Sequence, residues 1–414
     1  MTTLKATVDT PVAAAPPVSS YARQYLQRLR GGEMGALPAV LGLVVLCTIF
    51  SIIRPVFLTP VNFANLLPQG AAVAVIAMGL VFVLLIGEID LSAGYTSGVC
   101  ASVLAMVLLN FNVPWYVAIL AALVTGTAIG VTLGFLVAKV GIPSFVVTLA
   151  AFLAFQGVVL LIIKEGQIVS IQDPTILAIG NKNLTVVQGW ALFGIVVAGY
   201  AAVQVTRAAS RRSRNRPYDP MNLILLRVAA LAAVVGAAVF VLNQERGRLA
   251  SVQGVPIVVP IIVALLVVLT FVLRRTPYGL HLQAVGGNRE AARRAGINTD
   301  RIRISAFVVC STLAAIGGVI AASRANSVDA RTGGSDVLLY AVGAAVIGGT
   351  SLFGGKGRII DAVLGAAVVA VINNGMGLLG YSAGIKFIVT GSVLLLAAGV
   401  DALSRRRAAA AGLR

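Results

Sequence analysis

A chain of 414 residues with 58% hydrophobic and only 11% charged positions lies far from the soluble globular mix, where about 25% carry charge, and this excludes a soluble enzyme. The net charge of +18, from 32 Lys and Arg against 14 Asp and Glu, suits nucleic acid or a membrane surface, so its placement along the chain decides between them. Three cysteines (Cys47, Cys100, Cys310) sit in apolar runs without CxxC spacing and His281 is the single histidine, which gives no support to a metal cluster, a disulfide framework or a His-based triad.

Residues 1–35 contain Pro11, Pro16 and Pro17 among polar positions and are expected to form a flexible tail. The first apolar run is too long for a signal-peptide core and reads as an uncleaved anchor helix. A crossing needs about 20 mainly apolar residues. Runs of that kind predict six spans at about 36–53, 69–86, 94–109, 115–138, 143–163 and 187–206, and six more at 221–242, 255–273, 304–322, 337–352, 359–379 and 384–403. Loops this short hold no separate folded domain. The fold class is therefore all-α, a polytopic transmembrane bundle over 36–403 with a linker at 207–220, a long loop at 274–303 and a tail at 404–414.

Positive residues should collect on alternate sides if each span is real. With the amino terminus inside, 23 of the 32 Lys and Arg fall on the cytoplasmic side, 7 outside and 2 within span ends. Losing one span would invert every later loop, so both termini are expected in the cytoplasm. The linker's Arg207, Arg211, Arg212, Arg214 and Arg216 read as a topology signal, with anionic lipid binding as the lesser alternative.

Between the second and third spans, Gly87 to Gly94 reads GEIDLSAG. Carboxylates at bilayer depth cost about 2.5–3.5 kcal/mol on insertion scales, so they face a cavity, a partner or the interface. Glu88 and Asp90 therefore mark either a capped turn at the helix start, with the Ser92 hydroxyl as cap, or a place on the transport path. The 274–303 loop has a short helix at its centre: Asn288 supplies a cap, residues 289–295 are helix formers and Gly296 stops it. A solvated interfacial helix and a docking helix are both open.

The run Gly348 to Gly357 superficially suggests a phosphate loop, but Lys356 is followed by Gly357, and a P-loop needs GK followed by Ser or Thr. A close-packed turn between the tenth and eleventh spans is expected, and no ATPase site. Gln156, Asn373 and Asn374 lie within spans, either as interhelical hydrogen-bond partners or as pore lining. Spacings such as Gly126, Gly130 and Gly134 let helix backbones approach closely.

At these motifs the sequence resembles the ribose/xylose class of bacterial sugar ABC-transporter permeases. The strings that carry the resemblance are GEIDLSAG at Gly87 to Gly94, AVGGNREAARRAGIN at Ala284 to Asn298, GGTSLFGGKGR at Gly348 to Arg358 and INNG at Ile372 to Gly375. It covers most of the chain, densely from about 255 onward and again from about 60 to 165. The resemblance implies a homodimer of permease subunits in the bacterial inner membrane, served by two ATP-binding subunits or one fused tandem ATPase and by an external sugar-binding protein. ATP is then hydrolysed by the partner; this chain holds no cofactor, is not an enzyme, and meets the lipid bilayer but no nucleic acid. The segment Gly286, Gly287, Asn288, Glu290, Ala291, Ala292 and Gly296 corresponds to the ATPase-docking coupling helix, and Glu88, Asp90, Ser92, Asn373 and Asn374 are the translocation or gating candidates. Ribose-type permeases resemble ten-span proteins; an insertion at about 180–250 adds two spans here, as in the longer D-xylose permeases, which share an acid at the Glu88 position. Xylose is accordingly the preferred substrate and ribose the alternative. A proton-coupled secondary transporter also suits twelve spans and intramembrane acids, but no paired half-repeat is found.

Overall fold

The computed structural model describes residue 35 and residues 37–410, apart from 217 and 248–250. The expected tail up to residue 34, with Lys5, Arg23, Arg28 and Arg30, lies outside the described residues, as do Arg248 and Arg414. The elements in chain order are α1 (Leu37–Ile53), α2 (Pro60–Leu85), α3 (Ala93–Phe111), α4 (Trp115–Phe135), α5 (Ser144–Ile163), β1 (Ile168–Ser170), α6 (Pro174–Asn181), α7 (Val186–Ser213) and α8 (Met221–Leu242). They continue with α9 (Val258–Arg275), α10 (Pro277–Gly287), α11 (Arg289–Arg294), α12 (Thr299–Ala325), β2 (Ser327–Asp329), α13 (Ser335–Ile347), α14 (Ile359–Leu378) and α15 (Ala383–Ala410).

Local chemistry sets many of these boundaries. Thr59 and Thr276 cap α2 and α10, each followed by proline at the first helical position, where the missing N–H costs nothing. Thr185 and Gln188 form a reciprocal capping box on α7. Asn112 and Asn326 adopt the left-handed conformation and end α3 and α12.

All twelve expected spans are helical. Among the described residues, nine helices are long and apolar enough to cross a membrane, while three apolar stretches are shorter: Leu37–Ile53, Asp336–Ile347 and Ala383–Leu396. The expected span 337–352 is the one that loses most of its expected length. Its helix, α13, stops at Ile347 after 13 residues, a length of about 20 Å, because Gly348 abuts the Asp361 carbonyl and Gly349 turns with φ +111°.

Contacts between loops sort them onto two ends. At one end, Arg303 meets Glu88, Lys139 meets Asp300, and the Gly355 N–H donates to the Leu85 carbonyl. At the other, β1 and β2 pair antiparallel, Ile168 opposite Asp329, and the Leu184 N–H donates to the Val255 carbonyl. The loops so placed fall on the sides that alternating spans require.

With lipid tails as apolar as leucine, helix packing relies on close van der Waals fit and small residues. A stripe of glycines on α4 provides it: a Cβ on Gly126, Gly130 or Gly134 would lie within 2.8 Å of the α12 backbone at Ser311, Phe307 and Val308, and Ile304. On its opposite flank α12 packs against α2, where Gly79 meets Cys310 and Gly317 meets Ile76. The central windows of α2 and α12 are each 61% buried and that of α14 72%, whereas α7 and α8 are only 6% and 11% buried. The inserted pair is thus a peripheral hairpin on a closed core.

Two segments depart from simple crossings. After α2, residues 86–92 turn back into the bundle, so that Asp90 lies beside Cys310, seven residues and about 10 Å along α12 from Arg303. After α12 and β2, residues 330–334 also turn inward, and Gly333 abuts Gly94 and Gly98 on α3. A long helix, an inward loop and a following helix thus occur twice with opposite direction, a pairing by geometry alone.

Candidate functional site

The three motifs, which run from Gly87 to Arg358 at their extremes, meet at one end of the bundle. A Cβ on Gly286 would sit 1.7 Å from the Leu85 carbonyl oxygen and 3.0 Å from the Gly355 nitrogen. A Cβ on Gly354 would lie 2.8 Å from the Gly286 carbonyl and 3.0 Å from the Gly87 nitrogen. The end of α10, the end of α2 and the turn after α13 are therefore interlocked backbone against backbone. The 348–357 run is the close-packed turn expected, with the Ser351 N–H donating to the Lys356 carbonyl.

From this knot the chain projects α11. Asn288 caps it, accepting from the Ala291 N–H at 2.9 Å, and Gly296 follows with φ +83°. Ala292 is buried against the bundle while Glu290, Arg293 and Arg294 face outward. The loop 274–303 contains one helix more than expected, since α10 precedes α11 without a break longer than Asn288. Beside α11 a cavity of about 480 Å³ is lined by Arg289, Glu290, Arg293, Asn298 and Asp300 among others. Asp300 ties this loop to the bundle through Lys139 at 3.1 Å and Arg289 at 3.8 Å.

Glu88 and Asp90 have separate environments. Glu88 accepts from Arg303 Nε at 2.9 Å and Nη2 at 2.5 Å, the two side chains being 17% and 7% exposed. A buried ion pair needs both members, because one alone is an uncompensated charge. Arg303 was not singled out by sequence motif; its signal is a basic residue at the start of a span. Asp90 is fully enclosed, and its Oδ1 accepts from the Ser92 N–H at 2.8 Å and the Ser92 hydroxyl at 2.6 Å. The Cys310 thiol also lies within reach of this carboxylate. The expected cap is thereby reversed: Ser92 is the N-cap of α3 but makes no side-chain cap, because its hydroxyl is donated to Asp90. A carboxylate enclosed at this depth is costly unless its oxygens are partnered.

The two asparagines of INNG part company. Asn374 exchanges amide hydrogen bonds with Asn62 of α2, both at 2.9 Å, and donates to Gln69 at 3.3 Å. This clasp is interhelical and lies toward the ribbon end, remote from Glu88. Asn373 is half-buried and interacts with the Tyr340 hydroxyl of α13. Among the described residues no group of His, Cys, Asp and Glu has the arrangement of a metal site.

The family described as branched-chain amino acid transport system / permease component matches residues 62–398. A xylose transport system permease protein of Haemophilus influenzae is 32% identical over 381 residues, covering 92% of this chain and 99% of that protein. Its Escherichia coli K12 counterpart is 34% identical over 351 residues, 85% of this chain and 87% of that protein. A ribose import permease protein of Escherichia coli K12 is 31% identical over 363 residues, 88% of this chain and 92% of that protein. No solved structure matches the chain.

Proposed function

The chain belongs to the branched-chain amino acid transport system / permease component family, and on that premise we propose that it is the membrane-spanning subunit of a bacterial ABC importer for a monosaccharide. D-xylose is the preferred substrate, from the similarity to xylose permeases along almost their whole length and the two extra spans; ribose is the alternative. A homodimer in the inner membrane encloses the path, an external binding protein delivers the sugar at the ribbon end, and a separate ATPase, as two subunits or one fused pair, docks at the motif end. Both termini lie with the ATPase in the cytoplasm, and ATP is hydrolysed by that partner.

The observation that carries this reading is the convergence of three motifs beneath one outward-facing helix. The ATPase grips α11 through Gly287, Asn288, Glu290, Ala291 and the exposed turn at Gly296, while Ala292 holds the helix to the bundle. Closure of the ATPases on ATP displaces α11, and Gly286 cannot yield because its backbone is wedged against Leu85 and Gly355. The displacement therefore passes into α2 and, through Arg303 and Glu88, into the inward loop that holds Asp90 and Ser92. This is rigid-element coupling between two sites. Asn373 contributes a polar group to the path, and Asn374 holds helices together.

The test is sugar uptake into vesicles with and without the partner ATPase. ATP-dependent xylose uptake inhibited weakly by ribose supports the reading; proton-driven uptake without the ATPase sinks it. Bulky replacements of Gly287 and Glu290 should abolish ATPase co-purification while leaving membrane insertion intact, and amide substitution of Glu88 or Asp90 should reduce uptake.

A further inference from the structure

Among the described residues, two opposite charges in the outer half of the bundle form no ion pair: Asp336 in the first turn of α13 and Lys386 in the first turn of α15. Their depth follows from length. The helix α13 rises about 20 Å from its inner end at Ile347, so in a hydrocarbon core of about 30 Å its start lies about 10 Å short of the outer face. The inward loop 330–334 delivers the chain to that depth, with Gly333 against Gly94 and Gly98. A carboxylate there faces water, a partner or a cavity. The dipole of α13 eases the cost, but the half-buried Asp336 still needs donors.

The seam between α13 and α14 shows what stands opposite. Gly348 lies against Asp361 and, four residues earlier on α13 and four later on α14, Ala344 lies against Gly365. The two helices are antiparallel here, so two more turns of the same register bring Asp336 level with Asn373. Tyr340, one turn from Asp336, points back toward the start of α13, and its hydroxyl reaches Asn373. On the α15 side, the Phe387 ring stacks on Tyr340 with centroids 6.4 Å apart, and a Cβ on Gly377, one turn above Asn373, would lie 3.7 Å from Lys386 Nζ. On the α3 side, a Cβ on Gly334 would be 3.3 Å from Asp336 Oδ1 and 4.0 Å from the Tyr95 hydroxyl. A carboxylate, an ammonium, an amide and two phenols thus gather near one depth, all but the buried Tyr95 half-buried.

These groups select an uncharged polyhydroxy guest. An anion is opposed by Asp336 and a cation by Lys386, and an apolar guest would strip water from both charges without replacing it. Hydroxyls both donate and accept, so one sugar satisfies the carboxylate and the ammonium together, while a tyrosine offers an apolar ring with a polar tip. We propose that Asp336, Tyr340, Asn373 and Lys386 form a holding site for the monosaccharide in the outer half of the path, with Tyr95 beside Asp336. The site rests on the transport reading above and assigns the side chains that touch the sugar within it.

Proteoliposomes carrying the assembled transporter, with its ATPase and its external binding protein, test the site by following D-xylose uptake and ATP hydrolysis side by side. In D336N and K386M the sugar moved per ATP hydrolysed should fall about tenfold, the equivalent of about 1.4 kcal/mol and near the low end for a hydrogen bond to a charged group. Hydrolysis and melting temperature should stay at the parent's values. Y340F, which removes one hydroxyl and keeps the ring, should lower the ratio about threefold and serves where a charge variant fails to insert; R227Q, on the peripheral hairpin, should match the parent. Parent-like ratios in D336N, K386M and Y340F overturn the site and leave the transport reading standing. Uptake and hydrolysis falling in proportion would make these residues structural, which also overturns it. A parent that moves no pentose with ATP rejects the transport reading, and the site with it.

Discussion

Replacing Glu88 alone should harm the protein more than replacing Glu88 and Arg303 together. Arg303 reaches Glu88 Oε1 with two guanidinium nitrogens, and its own side chain is 7% exposed. Removing one partner of a buried pair costs about 3–5 kcal/mol, whereas exchanging both for apolar residues is often neutral or stabilising. The 17% exposure of Glu88 admits some water and places E88Q at the lower end, about 3 kcal/mol. R303M should cost less, because a stranded carboxylate can take up a proton and a stranded guanidinium cannot lose one. Thermal unfolding of the full chain in detergent should therefore rank E88M/R303M near the parent, then R303M, then E88Q. ATP-driven uptake should be low in all three, since the double variant regains stability without regaining the link from α12 to the inward loop. Additive destabilisation in the double variant would refute the buried-pair reasoning, and full uptake by that variant would remove the pair from the coupling path.

Other positions give sharper contrasts. In G286V the new Cβ must move about 1.5 Å from the Leu85 carbonyl, breaking the 2.9 Å Gly355 bond; overpacking of about 1–3 kcal/mol plus about 1 for the hydrogen bond should lower the melting temperature, while G287A, with nothing within 4 Å, should leave it unchanged. N374L strands Asn62 in a buried site and should cost about 1–3 kcal/mol, with N62L/N374L recovering most of it in the same unfolding assay. Deleting residues 185–254 and joining Leu184 to Val255, already hydrogen-bonded at 2.7 Å, by a two-residue turn should leave a monodisperse core by gel filtration; an aggregated product would show that the hairpin supports the core.

Much of the architecture is legible in the sequence because a bilayer imposes long apolar runs and nothing else in a protein does so repeatedly. The α11 helix is legible too, since its signals are local: Asn288 bonds Ala291, three positions away, and Gly296 needs a left-handed backbone. Depth is not legible. Residues 86–92 and 330–334 turn into the bundle, but hydropathy is blind to where along a neighbour a helix begins, so the span at 337–352 looks like a full crossing. Long-range pairing is equally hidden: Arg303 reads as one more inside charge until Glu88, 215 positions earlier, is found against it. The Ser92 reversal has a plainer cause, in that Asp90 two residues before is the stronger acceptor and takes the hydroxyl from the cap.

The close contacts also restrict which part of the molecule can move. Sliding of α12 along α2 is blocked at Gly79, where a Cβ would be 3.0 Å from the Cys310 carbonyl, and along α4 at Gly130, where it would be 2.6 Å from the Val308 Cα. The turn after α13 is held to α14 by Gly348 against Asp361, and α13 itself to α14 by Gly365 against Ala344. Interfaces packed to this degree do not deform gradually; they shift as bodies or change register. A push on α11 therefore cannot be absorbed between α2, α4, α12, α13 and α14, and these helices must tilt together. The surfaces left to yield are the sparsely packed ones, the lipid-facing hairpin of α7 and α8 and the exposed flank of α15 with Ile388, Leu395 and Leu396. Of these the α15 flank adjoins α13 and α14, and the hairpin adjoins α2 through α8, so a tilt of the core must be taken up at those two seams.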